Sequence, residues 1–177
     1  MEYLNAFDRD GKPVGKVERQ EAHSENAGVF HKAVWIWFLN SKGEVLVQQR
    51  SKFKRQGPLK WDFPSAGHVD CGEDLLTTCV RETKEELGIK LPKNRFEFLF
   101  ETCKEKGWEF GETYLVLADI SISEMKLQPE EVADAKWLPF EEFKELFYSP
   151  DFCNHAIEYK DKICEIFSER IESQNQS

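Results

Sequence analysis

GHVDCGEDLLTTCVRETKEELGI, residues 67–89, is the stretch whose reading decides the fold. Gly67 and Gly72 bracket a loop. From Glu73 onward Leu76, Cys79, Val80, Thr83 and Leu87 recur at three- and four-residue steps, which is the pattern of one helical stripe. Gly88 follows as a C-terminal stop, so the spacing predicts a helix over Glu73–Leu87. Glu82, Glu85 and Glu86 lie three and four residues apart and crowd their carboxylates on a neighbouring face. Like charges at that spacing cost an isolated helix roughly 0.2–0.5 kcal/mol per pair. A cation held among them removes that cost, and hard carboxylate oxygens suit Mg2+ or Mn2+ better than Zn2+.

Strand patterns lie on both sides of this helix. Glu2–Phe7 and Val14–Val17 flank the turn-rich DRDGKP and read as an N-terminal hairpin, followed by a short helix over Arg19–Glu25. His31–Leu39 and Val45–Gln49, rich in β-branched and aromatic residues, form a second hairpin about NSKG. Trp61–Val69 is a strand interrupted by Pro64 and leads into the helix. Phe96–Lys104 pairs with Glu112–Ile120, and Ala133–Leu138 is a last strand whose exit starts a helix over Phe140–Phe147. A longer amphipathic helix, Phe152–Ile171, has Ile157, Ile163, Ile166 and Phe167 apolar and fills a C-terminal segment, residues 149–172. Residues 173–177 read as a disordered tail. This order predicts one α+β (or α/β) domain with no splitting linker.

The 177 residues are 40% hydrophobic and 32% charged, with a net charge of −9. That charge argues against a nucleic-acid polymer as partner, because a phosphate backbone needs a basic face. It leaves room for a small phosphorylated molecule gripped by a local cluster. Arg50, Lys52, Lys54, Arg55 and Lys60 make such a cluster, and Arg50, Lys54 and Arg55 are the candidates for a phosphate clamp. No apolar run reaches the roughly 20 residues of a membrane span, and the N-terminus lacks the pattern of a signal peptide. Five cysteines without paired spacing fit free thiols in a reducing cytoplasm. Trp35, Trp37, Trp61, Trp108 and Phe110 read as core rather than as ligand platforms.

Residues 67–89 resemble the Nudix pattern, G-x5-E-x7-R-E-U-x-E-E-x-G-U with U a bulky apolar residue. Gly67, Glu73, Arg81, Glu82, Glu85, Glu86, Gly88 and Ile89 all match, with Leu87 at a free position, and Thr83 alone departs, at the first U. The resemblance implies a mixed β-sheet sandwiched between helices over about residues 30–148, with the N-terminal hairpin and the C-terminal helix as additions. It implies hydrolysis of a diphosphate linkage in a small molecule of the nucleoside-diphosphate-X or isoprenoid-diphosphate kind, by water and Mg2+ or Mn2+. Glu85 and Glu86 would be metal ligands and Glu82 a ligand or the base, with the Gly67 carbonyl as a further ligand. Arg81 and Glu73 would form a structural ion pair. Glu112 would supply a further catalytic carboxylate, with Glu101, Glu105 and Glu109 competing for that role. Dimerisation stays open.

The texture also resembles the metal-dependent isopentenyl-diphosphate isomerases, which share this fold. His23, His31 and His68 sit at positions like their metal-binding histidines. His23 and His31 are then expected as metal ligands and His68 as a substrate contact. Two departures count against isomerisation. Ala66 stands where those enzymes have their proton-transferring cysteine, and the first of their two glutamates two apart falls on Phe110. The alternatives to hydrolysis are that isomerase chemistry, or a non-catalytic ligand-binding Nudix module.

Overall fold

The structure, a computed structural model, describes residues 3–24, 26–104, 108–153 and 159–176. Expectations that fell on Glu2, Glu25, Glu105, Ile157 and Ser177 lie outside them. Nine strands and four α-helices run among the described residues. In order they are β1 Tyr3–Phe7, β2 Pro13–Glu18, α1 Arg19–Ala22, β3 His31–Leu39, β4 Glu44–Arg50, β5 Trp61–Asp62, β6 Ser65–His68, α2 Leu75–Leu87, β7 Glu97–Lys104, β8 Glu109–Leu117, β9 Val132–Pro139, α3 Phe140–Tyr148 and α4 Lys160–Asn175. The chain divides into two compact units, Met1–Ile36, Ser65–Lys84 and Lys90–Leu115 in one, and Trp37–Pro64, Glu85–Ile89 and Val116–Ser177 in the other.

In the first unit β1 and β2 form an antiparallel hairpin, with Leu4 opposite Val17. Leu4, Ala6, Val17 and Ala22 bury a small core of their own, with Val29 against it. That packing fixes α1 and therefore His23, the residue that follows it. β3 pairs antiparallel with β6, setting Val34 opposite Gly67 and Trp35 opposite Ala66. β7 pairs antiparallel with β8, setting Glu101 opposite Glu112 and Lys104 opposite Glu109.

In the second unit β4 pairs antiparallel with β9 over seven positions, and with β5 at Gln48–Asp62 and Gln49–Trp61. Pro64 ends β5 and separates it from β6 because its ring carries no N–H for a ladder. α3 and α4 place Phe143, Phe147 and Phe167 edge-on around Trp37, with centroids 5.6–5.7 Å from the indole. All four side chains are fully buried, and each contributes about 1.5–3 kcal/mol by leaving water.

The hydrogen bonds of β3 and β8 give their relative direction. The His31 N–H donates to the Trp108 carbonyl, and in the other unit the Ala118 N–H donates to the Leu39 carbonyl. Numbers rise together along the two strands, so they run parallel, and this pair among antiparallel ones makes the sheet mixed. The α+β expectation is met.

Several boundaries differ from the sequence reading: α2 starts at Leu75, not Glu73, and β8 ends at Leu117, not Ile120. β8 begins at Glu109, not Glu112. Its start is set by Trp108, which takes a left-handed backbone (φ +53°) and gives its carbonyl to His31. The last helix starts at Lys160, since Phe152 and Cys153 are tied to Trp61 by a β-bridge and a main-chain hydrogen bond. That helix also runs on to Asn175, through most of the expected tail, as a polar end with the Ser173 hydroxyl donating back to the Glu169 carbonyl. No helix among the described residues is long and apolar enough to cross a membrane.

Candidate functional site

α2 starts from Asp74, whose carboxylate accepts from the Thr77 N–H at 2.8 Å and its hydroxyl at 2.9 Å. The helix buries Thr78, Cys79, Thr83 and Leu87 completely. Its partly exposed flank carries the charges. The Arg81 guanidinium is the hub. It donates to Glu82 Oε1 at 2.7 Å, to both oxygens of Glu73 at 3.0–3.1 Å and to the His68 carbonyl at 3.0 Å. Burial works against both charges of the Arg81–Glu73 pair. The contacts outweigh it and leave the arginine above, and the glutamate below, their ordinary pKa values. The guanidinium thus ties the loop after β6 to the helix and fixes the Glu82 carboxylate.

Gly67 is required by that carboxylate. A Cβ at residue 67 would fall 1.8 Å from Glu82 Oε1 and 2.0 Å from its carboxyl carbon. Glu85 and Glu86 follow three and four residues on along α2, Glu85 exposed and Glu86 buried, only 8% exposed. The carbonyls of Glu86 and Leu87 are capped by the N–H groups of Gln128 and Lys126. Thr83 is fully buried, methyl and hydroxyl alike, so it fills the apolar position expected of it.

β8 carries two acids that face opposite ways, because side chains alternate along a strand. Glu112 shares its face with Tyr114, whose hydroxyl donates to Glu112 Oε2. Glu109 goes to a second cluster. His23 from the end of α1, His31 from β3 and His68 from β6 bring one ring nitrogen each within 4.8 Å of one another. Glu109 Oε2 lies 3.6 Å from the Nε2 atoms of both His31 and His68. That distance suits an ion pair and exceeds a hydrogen bond.

The protonation pattern suits a metal. His23 Nδ1 sits 2.6 Å from the Arg19 carbonyl, which can only accept, so the hydrogen is on Nδ1 and Nε2 offers its lone pair inward. His23 Nε2 lies 3.0 Å from His68 Nε2. Burial lowers the His68 pKa against the pull of Glu109, which favours the neutral, ligating imidazole. Burial opposes ionisation of Glu109, yet His31, His68 and Lys104 outweigh it and hold its pKa well below the carboxylate range. His31 is fully buried, and neither of its ring nitrogens has a hydrogen-bond partner among the described residues. Orphaned imidazole nitrogens are costly in a dry site unless something ligates them.

The expected residues therefore fall into different places. Gly67, Glu73, Arg81 and Glu82 come together. His68 joins His23 and His31 instead of standing apart as a substrate contact. The acid beside the histidines is Glu109, a competitor in the sequence reading, and two residues on comes Gly111, not Glu112. A Cβ at Gly111 would lie 2.6 Å from both the Trp35 ring and Thr102 Oγ1, so that position has no room for a carboxylate. Glu101 is exposed. Arg50 is committed elsewhere: it donates to Asp62 Oδ2 at 2.7 Å and to the Gln56 carbonyl at 3.0 Å, and Asp62 is only 1% exposed. Lys54 pairs with Glu131. Arg55 is exposed. Sequence reasoning missed Tyr114 and Asp62. The alternation of Glu112 with Tyr114 was a usable signal for the first, and nothing local pointed to the second.

The family model described as NUDIX domain matches residues 29–153. The chain belongs to the Nudix hydrolase family.

Among its relatives, Nudix hydrolase 3 of Arabidopsis thaliana is 36% identical over 162 residues, which is 85% of this chain and 21% of that protein. An uncharacterized Nudix hydrolase of Listeria monocytogenes is 34% identical over 71% of this chain and 73% of its own length. The isopentenyl-diphosphate Delta-isomerase of an Escherichia coli strain is 27% identical over 77% and 76%. This chain thus spans about a fifth of the plant relative and about three quarters of the other two. A Deinococcus radiodurans crystal structure has the same fold, with a TM-score of 0.69 at 18% identity over 95% of this chain and 98% of that one. The NUDIX domain of Shewanella oneidensis NrtR, solved with ADP ribose, has a TM-score of 0.60 at 22% identity over 80% and 88%.

Proposed function

We propose that this Nudix chain hydrolyses a diphosphate linkage in a small molecule of the nucleoside-diphosphate-X or isoprenoid-diphosphate kind. The observation that carries the reading is the seat of Glu82: a carboxylate fixed at 2.7 Å by Arg81 and lodged over a glycine that leaves room for nothing else. The carboxylates of Glu82, Glu85 and Glu86 and the Gly67 carbonyl would hold Mg2+ or Mn2+. His23, His31, His68 and Glu109 would hold a second divalent ion, and the orphaned ring nitrogens of the buried His31 fit it. An ion held by the α2 glutamates would supply charge neutralisation for the diphosphate oxygens and polarise water. The chain's own part is to orient that water and take its proton. Glu112 is the base in this reading, Arg81 keeps Glu82 in place, and Arg55, exposed like Lys52, is the cation of the basic loop assigned to a phosphate. The free cysteines are consistent with a cytoplasmic protein.

Hydrolysis outranks isomerisation on the same geometry. Ala66 offers no thiol, and Trp35, its partner across β3 and β6, fills the space at Gly111 where a second acid would have to fit. ³¹P NMR with ADP-ribose, nucleotide sugars and isopentenyl diphosphate, in Mg2+ or Mn2+, tests the reading. Release of phosphate or a monophosphate by the wild type, abolished in Glu85→Gln, is expected. Equal behaviour of the two proteins on every active substrate refutes it. Deuterium uptake into isopentenyl diphosphate without phosphate release would instead establish the isomerase.

A further inference from the structure

Glu112 is held by a buried phenol. Tyr114, two residues on and on the same face of β8, is 4% exposed and donates to Glu112 Oε2. Phe98, opposite it on β7, closes over the ring edge-on at a centroid distance of 6.0 Å. The pair lies beside α2: after burial, the Glu112 charge is what pushes up the pKa of the Cys79 thiol, one helical turn before Glu82.

A glutamate carboxyl rotates about a broad, nearly two-fold terminal torsion, and an untethered one presents either oxygen in many orientations. A phenol buried without a partner is costly, so Tyr114 and Glu112 hold each other. We propose that Tyr114 is the positioning residue of Glu112, occupying Oε2 so that Oε1 alone is left to accept the proton of the attacking water. In that step the water O–H bond breaks and its proton passes to Oε1. The water oxygen bonds to phosphorus with the freed electron pair, and the P–O bond to the leaving group breaks with its pair staying on the departing oxygen. This rests on the reading of Glu112 as the base, and goes beyond it by assigning the group that aims it.

Steady-state kinetics of the full chain, on whichever of ADP-ribose, nucleotide sugar or isopentenyl diphosphate the wild type cleaves with Mg2+, tests the inference. Glu112→Gln loses the base and about 10²–10⁴-fold in kcat. Tyr114→Phe keeps a base but frees it to turn, and loses roughly ten- to a hundredfold in kcat with KM unchanged. The double variant is no slower than Glu112→Gln, because an absent base cannot be misaimed. Wild-type kcat in Tyr114→Phe overturns the inference and leaves Glu112 standing. So does a double variant slower than Glu112→Gln by the factor that Tyr114→Phe costs alone. Wild-type kcat in Glu112→Gln overturns the assignment of the base and the inference with it, and a chain inert on all three substrates overturns the hydrolase reading as well. Should Tyr114→Phe not fold, 3,5-difluorotyrosine at position 114 keeps the ring and strengthens the donor. A changed kcat at constant KM supports the inference, and an unchanged kcat overturns it.

Discussion

The carboxylate of Glu82 occupies the volume that a side chain on Gly67 would need: a Cβ there would meet Glu82 Oε1 at 1.8 Å. Gly67 and Glu82 are fifteen residues apart, on strand β6 and helix α2, and Arg81 locks the two segments by bonding Glu82 and the His68 carbonyl together. Gly67→Ala must therefore move Glu82 while leaving the buried face of α2 intact. The expected outcome is a folded protein with kcat/KM lowered about a hundredfold, the scale of a misplacement of about 1 Å at a reacting centre. Calorimetry should show weakened Mg2+ uptake. Wild-type turnover in Gly67→Ala would mean that the Glu82 position is immaterial to the chemistry.

The histidine cluster and α2 are predicted to bind ions independently. His31→Ala and Glu109→Gln remove ligands from the cluster and should each weaken Zn2+ or Mn2+ binding there by about tenfold or more. Glu85→Gln should leave that binding alone while removing Mg2+-dependent turnover. Titration calorimetry with metal-stripped protein distinguishes these. Identical Zn2+ isotherms for wild type and His31→Ala would show that the three imidazoles merely pack, as aromatic rings 4.6–5.0 Å apart also can.

Arg50 is predicted to matter for stability and not for substrate. Its guanidinium neutralises Asp62, a carboxylate 1% exposed. Arg50→Ala would take the guanidinium away from that buried charge, a change that costs about 3–5 kcal/mol. Thermal unfolding should show a fall of roughly 10 °C, with KM for the diphosphate substrate unchanged in the protein that stays folded. An unchanged Tm with a raised KM would return Arg50 to the phosphate clamp.

What could be read in the sequence, and what could not, follows the range of the interactions involved. α2 was legible because its stripe, its stop and its acids are set by spacing within one helix. Three histidines were legible because each sits at a recognisable place in a family pattern. Glu109 was not, because its face depends on where β8 begins, and that is decided by the left-handed turn at Trp108 and its bond to His31, 77 residues earlier. A shift of one residue in strand register exchanges the two faces, so the sequence pattern points to Phe110 and Glu112 for the places that Glu109 and Gly111 occupy. The pairing of Arg50 with Asp62 was hidden for a similar reason, since β4 and β5 meet only in the folded sheet. The run of α4 through the polar tail shows composition giving a weaker signal than helical hydrogen bonding.

The start of α2 gives a pH dependence whose sign is fixed. The Lys93 ammonium, 2.8 Å from the Asp74 carboxylate, and then the Thr77 N–H hold the Asp74 pKa at about 2, below its usual 3.8. A carboxyl with a lowered folded-state pKa stabilises the fold fully at pH values above 3.8, and loses that contribution as pH falls from there toward 2. Asp74→Ala removes the helix cap and the ion pair together. Its Tm should lie below that of the wild type at neutral pH, by an amount that stays level down to about pH 5 and then shrinks, most of it gone near pH 2. A gap that stayed constant through the acid range would assign the effect to cap geometry alone. A gap that widened would contradict the lowered pKa, and with it the view that charge pairing at residues 74 and 93 fixes where the acidic helix begins.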